Sequence, residues 1–310
     1  MIKVVGIGAN VYDTLYTVSS YPKEDTKMRA ESAVESGGGP CATGLVAASK
    51  LGAESAYIGV LSDDAGGQFL KADLERYKVS TDYVDVKSGY ASFSSCIWLG
   101  KESTSRTCVF NKGNLPPLSL SGKQKQAIAD AKVLMVDGNE LESAIEGARI
   151  AKDNGTAVLY DAGGLYSGVE RLLPLADILI PSEEFSLAHT DSKTAEEAAK
   201  KLFQMYSPKV VVITQGKKGG LMYDGKEIKI YPATPAIVID SNGAGDVFHG
   251  AFAFAFTKGY DYYKCCLFSS AVSALKCTKL GARAGVPYFE DTIKYLKECG
   301  FDEFEKELEK

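Results

Sequence analysis

Histidine and tryptophan are nearly missing from this 310-residue chain, which has two of the first, His189 and His249, and one of the second. Two histidines do not make a histidine metal cluster, and no Ser-His-Asp set is built from sequence neighbours. Positive charge is also short: 35 Lys and Arg stand against 40 Asp and Glu, a net charge of −5. That balance disfavours nucleic acid or an acidic membrane as main partner, since both select a basic face. No apolar run reaches the ~18 residues of a membrane span. The richest stretch, 247–256, is interrupted by His249 and Gly250. The seven cysteines include no Cys-x-x-Cys pair, and their odd number points to reduced thiols. Cys265, Cys266 and Cys277 sit in apolar, helix-like surroundings and read as core filler. Residues 1–8 lack the features of a signal peptide, so a cytoplasmic protein is the expectation.

What is present is a rhythm. Short apolar runs at 3–7, 55–59, 133–136, 157–160, 178–180 and 210–214 alternate with helix-like stretches at 42–51, 68–77, 143–153 and 194–205. Such alternation implies crossover units and a mostly parallel sheet, an α/β fold. Two regions, 14–36 and 90–111, break the rhythm with extended, Ser-, Thr- and Tyr-rich character, and they read as a small sheet projecting from the body. No Pro/Ser/Gly linker divides the chain, so 1–310 is expected to be one domain carrying a β-sheet lid.

The most informative segment is Asp240-Ser241-Asn242-Gly243-Ala244-Gly245-Asp246, followed by the apolar stretch 247–256. Gly243, Ala244 and Gly245 carry almost no side chain, so another group can approach their N–H groups. The first N–H groups of a helix lack intrahelical partners and sit at the positive end of its dipole, which suits a phosphate. Asp246 adds a base. Together they point to phosphoryl transfer onto a hydroxyl, against the plainer reading of a capping Asp after a turn. Gly37-Gly38-Gly39-Pro40 before the helix at 42–51 allows a similar close approach or a plain turn. His249, three residues after Asp246, either touches substrate or is a packed helix histidine.

Two motifs are decoys. Gly6-x-Gly8 starts like a dinucleotide fingerprint, but Val11 stands at the third glycine position and no helix pattern follows. Residues 220–226 have P-loop spacing, yet Glu227 follows in place of Ser or Thr. Alternation around Asp224-Gly225 reads as a hairpin.

Taken in order, several spaced motifs resemble the ribokinase/PfkB family of small-molecule kinases over essentially the whole chain. They are Gly8-Ala9-Asn10-Val11-Tyr12-Asp13, Gly38-Gly39-x-x-Ala42, Leu51-Gly52-Ala53 and Ser62-Asp63-Asp64-Ala65-Gly66. Later come Thr214-Gln215-Gly216-Lys217-Lys218-Gly219-Gly220, the segment from Asp240 to Asp246, and Gly281-Ala282-Arg283-Ala284-Gly285-Val286-Pro287. The resemblance implies a three-layer ribokinase-like fold and an ATP-dependent kinase acting on a hydroxymethyl group of a small sugar, ketose or pentose-like, including the fructose type. A nucleoside acceptor, or a non-catalytic sugar or nucleotide sensor, are the alternatives.

The same resemblance implies roles. Asp246 matches the catalytic base, with Gly243, Ala244 and Gly245 as the anion hole. Asp13, Asn10, Gly38, Gly39 and Thr43 match the sugar site, with Arg106 reaching substrate from the lid. Thr214, Gly216, Gly219 and Asn242 match the ATP site. Asp240 and Asn242, with the loop from Gly281 to Gly285, lie where members that need a monovalent cation, K⁺, bind it. Mg²⁺ is expected with ATP, and a homodimer through the lid. The chain departs from the family at Thr43, where Asn is usual, and at Ser241, where Thr is usual. Ser182-Glu183-Glu184-Phe185 stands for the Asn-x-x-Glu element that organises Mg²⁺ through water, so Glu183 or Glu184 takes that place. Ser182 to Phe185, and the stretch 274–283, look closer to the ketohexokinase-like and sulfofructose-kinase-like branches than to ribokinase itself.

Overall fold

Consecutive apolar positions in the central strands demand cover on both faces of a sheet, and the chain supplies it. The computed structural model describes residues 2–103, 105–164 and 167–307. The first half runs β1 (Val4–Ile7), β2 (Val11–Val18), β3 (Ser32–Gly38), α1 (Pro40–Lys50), β4 (Ser55–Ser62), α2 (Ala65–Arg76), β5 (Val79–Lys87), β6 (Ser94–Gly100), β7 (Ser105–Asn111), α3 (Gly122–Asp130), β8 (Val133–Val136) and α4 (Leu141–Asn154). Then follow β9 (Ala157–Ala162), β10 (Ile178–Pro181), α5 (Glu183–Thr190), α6 (Ala195–Tyr206), β11 (Val210–Thr214), β12 (Gly220–Tyr223), β13 (Ile228–Tyr231), α7 (Ala244–Thr257), α8 (Tyr262–Cys277) and α9 (Phe289–Glu298).

Nine strands form the large sheet in the order β13-β12-β11-β10-β9-β8-β1-β4-β5. From β11 to β5 every pair is parallel, and β12 and β13 add an antiparallel hairpin. Chain progression reverses between β1 and β8, whose register pairs Ile7 with Val136. Ligands of open α/β sheets bind outside the carboxyl ends of strands at such a reversal. Residues 8–10 and Asp137 emerge there.

Alternate residues serve opposite faces. Val4, Met135, Leu159, Ile178 and Val212 join α1, α7, α8 and α9 in one core. Val5, Leu134, Val158, Leu179 and Val211 join α3, α4 and α6 in the other. The fold is thus the expected three-layer α/β arrangement. Helix α7 is apolar almost all round and buried from Val247 to Ala255, as a helix packed on several sides must be. It crosses α1 where two glycines meet: a Cβ on Gly250 would stand 2.0 Å from the Gly44 carbonyl oxygen.

A second sheet has the order β3-β2-β6-β7, with β2 and β6 parallel and the outer pairs antiparallel. Residues 19–31, inside a region read as extended, lie outside the named strands. Strand β5 has no counterpart in the sequence reading; it is a sheet edge, and its partly exposed side chains break the apolar run. The segment with P-loop spacing is the β12–β13 hairpin. Gly225 turns at φ 87, and Asp224 Oδ1 accepts from the N–H groups of Lys226 and Glu227. Among the described residues no helix is long and apolar enough to cross a membrane.

Candidate active site

The Asp240 to Asp246 segment leads straight into α7. Gly243 is the N-cap in the left-handed region, φ 74, where glycine costs least. A Cβ there would also stand 2.6 Å from Ala282 Cβ. Gly245 and Asp246 occupy the first helical turn, whose N–H groups have no carbonyl four residues back. A Cβ on Gly245 would meet nothing within 4 Å, so a bound group has room beside this residue. Asp246 extends from the same turn. Burial pushes its carboxyl up from the ordinary range, His249 opposes the rise, and Asp137 reinforces it.

Behind Asp246 lies a buried polar set built from strand ends. Asp137 Oδ2 accepts from the N–H groups of Ala9 at 2.8 Å and Cys41 at 3.0 Å, and Oδ1 from Asn139 N at 2.9 Å. One carboxylate thereby ties the end of β1 to the start of α1. Asp161 of β9 stands 3.2 Å from His249 Nδ1, and burial raises its carboxyl while His249 holds it back. His249 Nδ1 also faces the Gly245 carbonyl at 2.6 Å, and Nε2 faces the Ile180 carbonyl at 2.9 Å. Both ring nitrogens are engaged by protein oxygens, so of the two readings the packed histidine holds.

Asp13 comes from the small sheet, opposite Ser36 on β3 and Ser95 on β6. Its Oδ1 accepts from Ser95 Oγ at 2.6 Å. Burial pushes its carboxyl up to about 6, with Asp246 adding to the rise and Ser95 and Arg283 opposing it. Asp13 and Asp246, 233 positions apart, thus sense each other's charge. Gly38 has to lack a side chain, because a Cβ would stand 1.9 Å from Asp13 Oδ2. Gly39 turns the chain into α1 at φ 89. Arg283 is the cross-tie: fully buried, it bonds Asp73 Oδ2 at 2.6 Å, Asn10 Oδ1 at 2.9 Å and the Gly38 carbonyl at 2.6 Å. Asn10 Nδ2 and Thr43 Oγ1 are buried with no hydrogen-bond partner in the protein. Buried polar atoms are ordinarily paired, so two on residues that meet the Gly39 turn call for a polar ligand there. Arg106 lies on exposed strand β7; its positive charge still reaches Asp246 and lowers that carboxyl.

The remaining candidates lie at the end of β11 and in the segment before α7. Thr214 closes β11 and bridges to Ser182. Gly216 turns at φ 56 and Gly219 at φ 87, with Gln215 N donating to the Gly219 carbonyl at 2.8 Å. Gln215 Nε2 donates to Glu183 Oε1 at 2.7 Å, which fastens Glu183 to this loop, whereas Glu184 is exposed. Asp240 is remote from both glutamates in its bonding. Its Oδ1 accepts from Asn242 N at 2.8 Å and its Oδ2 from Gly281 N at 2.9 Å. Lys276 Nζ donates to its carbonyl at 2.8 Å. Among the described residues no group of three or more His, Cys, Asp or Glu is placed to hold a metal.

Sequence reasoning missed Ser95, Asp73, Asp137 and Asp161. Only their partners in space reveal them, and no spacing in the chain does. Arg283 stood inside a quoted motif, but its reach to Asn10 and Gly38 needs the fold.

Similar proteins share this architecture. A ribokinase of Haemophilus influenzae is 26% identical over 300 residues, covering 94% of this chain and 97% of its own. Ketohexokinase of Mus musculus is 24% identical over 286 residues, covering 89% and 96%. The structure of Arabidopsis thaliana ribokinase complexed with ribose and ATP superposes with a TM-score of 0.86 at 25% identity, covering 96% of this chain and 99% of that one. The model of the pfkB family carbohydrate kinases matches residues 1–288. The chain therefore belongs to the PfkB family of carbohydrate kinases, phosphotransferases with an alcohol acceptor.

Proposed function

We propose that this kinase transfers the γ-phosphoryl group of ATP to a hydroxymethyl group of a small ketose or pentose-like sugar. One observation supports the reading: Asp13 and Asp246 sense each other's charge, and Asn10 Nδ2 and Thr43 Oγ1 are buried with no hydrogen-bond partner in the protein. Asp13, held by Ser95, and Asn10, held by Arg283, orient the acceptor. Asp246 takes the hydroxyl proton as the oxygen bonds to the γ-phosphorus, the β–γ bridging bond breaks, and ADP leaves. A positioned base contributes about 10²–10⁴-fold. The amides of Gly243 and Gly245 receive the charge on the moving phosphoryl oxygens, whereas the Ala244 N–H, also expected there, donates to the Ser241 carbonyl at 3.2 Å. Glu183, tied to the loop from Thr214 to Gly219 through Gln215, is the carboxylate that would face magnesium carried by ATP, which would supply charge neutralisation at the phosphates. The small sheet acts as a lid within a single domain, excluding water. Val34, Val109 and Phe110 are exposed on it, which supports pairing of two lids in a homodimer.

An ADP-release assay over D-ribose, D-fructose, a sugar acid and adenosine tests the proposal. Turnover with a free sugar is expected; turnover with adenosine alone overturns the sugar assignment. Asp13→Ala raises the sugar KM by about tenfold or more, the worth of a hydrogen bond to a charged group, while ATP affinity stays. Equal loss of both contradicts the assignment. With the Asp13 carboxyl raised to about 6, the acceptor oxygen is lost by protonation below that pH. Accordingly kcat/KM for sugar should fall on the acid side of about pH 6, and a profile flat down to pH 5 would count against it.

Gly245→Ala separates site from scaffold. Nothing meets the new methyl group, so stability should hold within about 0.5 kcal/mol. The methyl nonetheless enters the space assigned to phosphoryl oxygens, and kcat/KM for ATP should drop by about tenfold or more. Unchanged ATP kinetics would remove these amides from the mechanism.

A further inference from the structure

A positive charge lies buried behind the turn that bears Asp246. Lys276, near the end of α8, has no exposure to solvent, and lysine is almost never fully buried unless paired. Its Nζ donates to the Asp240 carbonyl at 2.8 Å and stands 3.7 Å from Asp240 Oδ2. Both partners are oxygens that only accept, so Nζ donates to them; burial pushes the lysine's pKa down, and the Asp240 carboxylate beside it opposes the fall and favours the ammonium. Asp240 receives two further bonds on its carboxylate, from Asn242 N and Gly281 N. The loop after Gly281 closes over the lysine: Gly285 N donates to the Gly281 carbonyl at 3.1 Å. A Cβ on Gly285 would stand 2.8 Å from Lys276 O and 3.4 Å from Lys276 Cγ. Helix α8 is also tied to the turn itself, through Ser273 Oγ to the Ala244 carbonyl at 2.8 Å and through Cys277 O, which accepts from Ile239 N and Asp240 N.

These are the residues against which the family resemblance implies a potassium ion. A hard cation there has to take its ligands from the same oxygens, and the ammonium of Lys276 already occupies the Asp240 carbonyl and faces its carboxylate. The donor set does not fit an added potassium ion. We propose that Lys276 is an internal cation, a positioning residue that joins Asp240 to the 281–285 loop and sets the Gly243–Asp246 turn without potassium. A lysine ammonium is a compact, strongly hydrated point charge, suited to oxygens that would otherwise hold a metal cation. Its charge also reaches Asp246 and lowers that carboxyl, which offsets part of the rise caused by burial. In the sequence Lys276 stands within residues 274–283, a stretch that resembles particular branches of the family, and nothing there gives it a role of its own.

The inference rests on the phosphoryl-transfer reading of this turn, and its test keeps the two apart. The full chain, freed of potassium, is compared in KCl and in tetramethylammonium chloride at equal ionic strength. MgATP affinity is measured by calorimetry, and ADP release with D-ribose and D-fructose. Affinity and kcat should differ by less than about twofold between the salts, while Lys276→Met, which keeps the stem and removes the charge, should lower kcat by about tenfold or more with the sugar KM nearly unchanged. Activation of the native chain by KCl of about fivefold or more overturns the proposal. So does a folded Lys276→Met protein with native kcat and MgATP affinity, since a lysine that only fills space would behave that way. Should Lys276→Met fail to fold, the salt comparison on the native chain decides alone. MgATP binding indifferent to KCl supports the internal cation even where neither sugar is phosphorylated, a result that fails only the substrate assignment.

Discussion

Asp246→Asn is expected to lower kcat by about 10²–10⁴-fold and to leave both KM values within about threefold. Asparagine keeps the size and planarity of the side chain, so the first turn of α7 and the Gly245 amide stay in place. What it removes is basicity. Burial has raised the Asp246 carboxyl above the ordinary range, which makes the carboxylate a stronger proton acceptor than a surface aspartate. The same burial makes the native charge costly. A carboxyl raised by folding binds its proton more tightly in the folded state, so its contribution to stability is greatest in acid and is lost as pH rises through the folded value. The asparagine protein lacks that term. Its melting temperature at neutral pH should match or exceed the native one, and its stability should change less between pH 5 and 8. Loss of rate with stability retained is the signature of a functional group held at a cost to the fold. A folded Asp246→Asn protein with less than about a tenfold fall in kcat would end the base assignment.

The parts of this molecule legible in sequence share one property: they are local. Residues 133–136 and 210–214 read as strands with the boundaries of β8 and β11, because four or five apolar residues in a row admit few other structures. The start of α7 is legible for a similar reason, since glycines followed by Asp and a long apolar stretch describe a turn and a buried helix within a short span. Strand β5 is not legible, because an edge strand with one wet side has no continuous apolar run. The site is half legible. Asp13, Gly38 and Gly39 stand in motifs, yet the reason Gly38 must be glycine is the Asp13 oxygen, a contact set by the β2–β3 register. Asp137 lies in no motif; it matters because its carboxylate meets Ala9 and Cys41, 128 and 96 residues earlier. Lys276 is hidden in the same way. Its neighbours in sequence are helix residues, and its charge is explained only by Asp240, 36 residues away.

The second large effect is expected far from any reacting atom. Gly250→Ala should cost about 3 kcal/mol or more of stability, the upper end for an overpacked core. Intrinsic preference points the other way, since alanine is favoured over glycine inside a helix by about 1 kcal/mol. The contact decides. A Cβ on Gly250 would stand 2.0 Å from Gly44 O and 2.6 Å from Gly44 C, and both atoms are backbone in the middle of α1. No rotamer relieves them, so α7 has to move off α1 or the helices have to bend. On the other side of the same crossing, a Cβ on Gly44 would meet the Asp246 carbonyl at 3.2 Å. Any shift that makes room for the added methyl group therefore displaces Asp246, the proposed base, and kcat should fall together with the melting temperature, by about 5 °C for a chain of this size. Gly245→Ala, the same chemical change earlier on the same helix, is the matched control: propensity treats the two alike, whereas packing makes the first costly and the second nearly free. A Gly250→Ala protein as stable as the Gly245→Ala one would show that α1 and α7 do not meet backbone to backbone, and the placement of Asp246 derived from that crossing would fall with it.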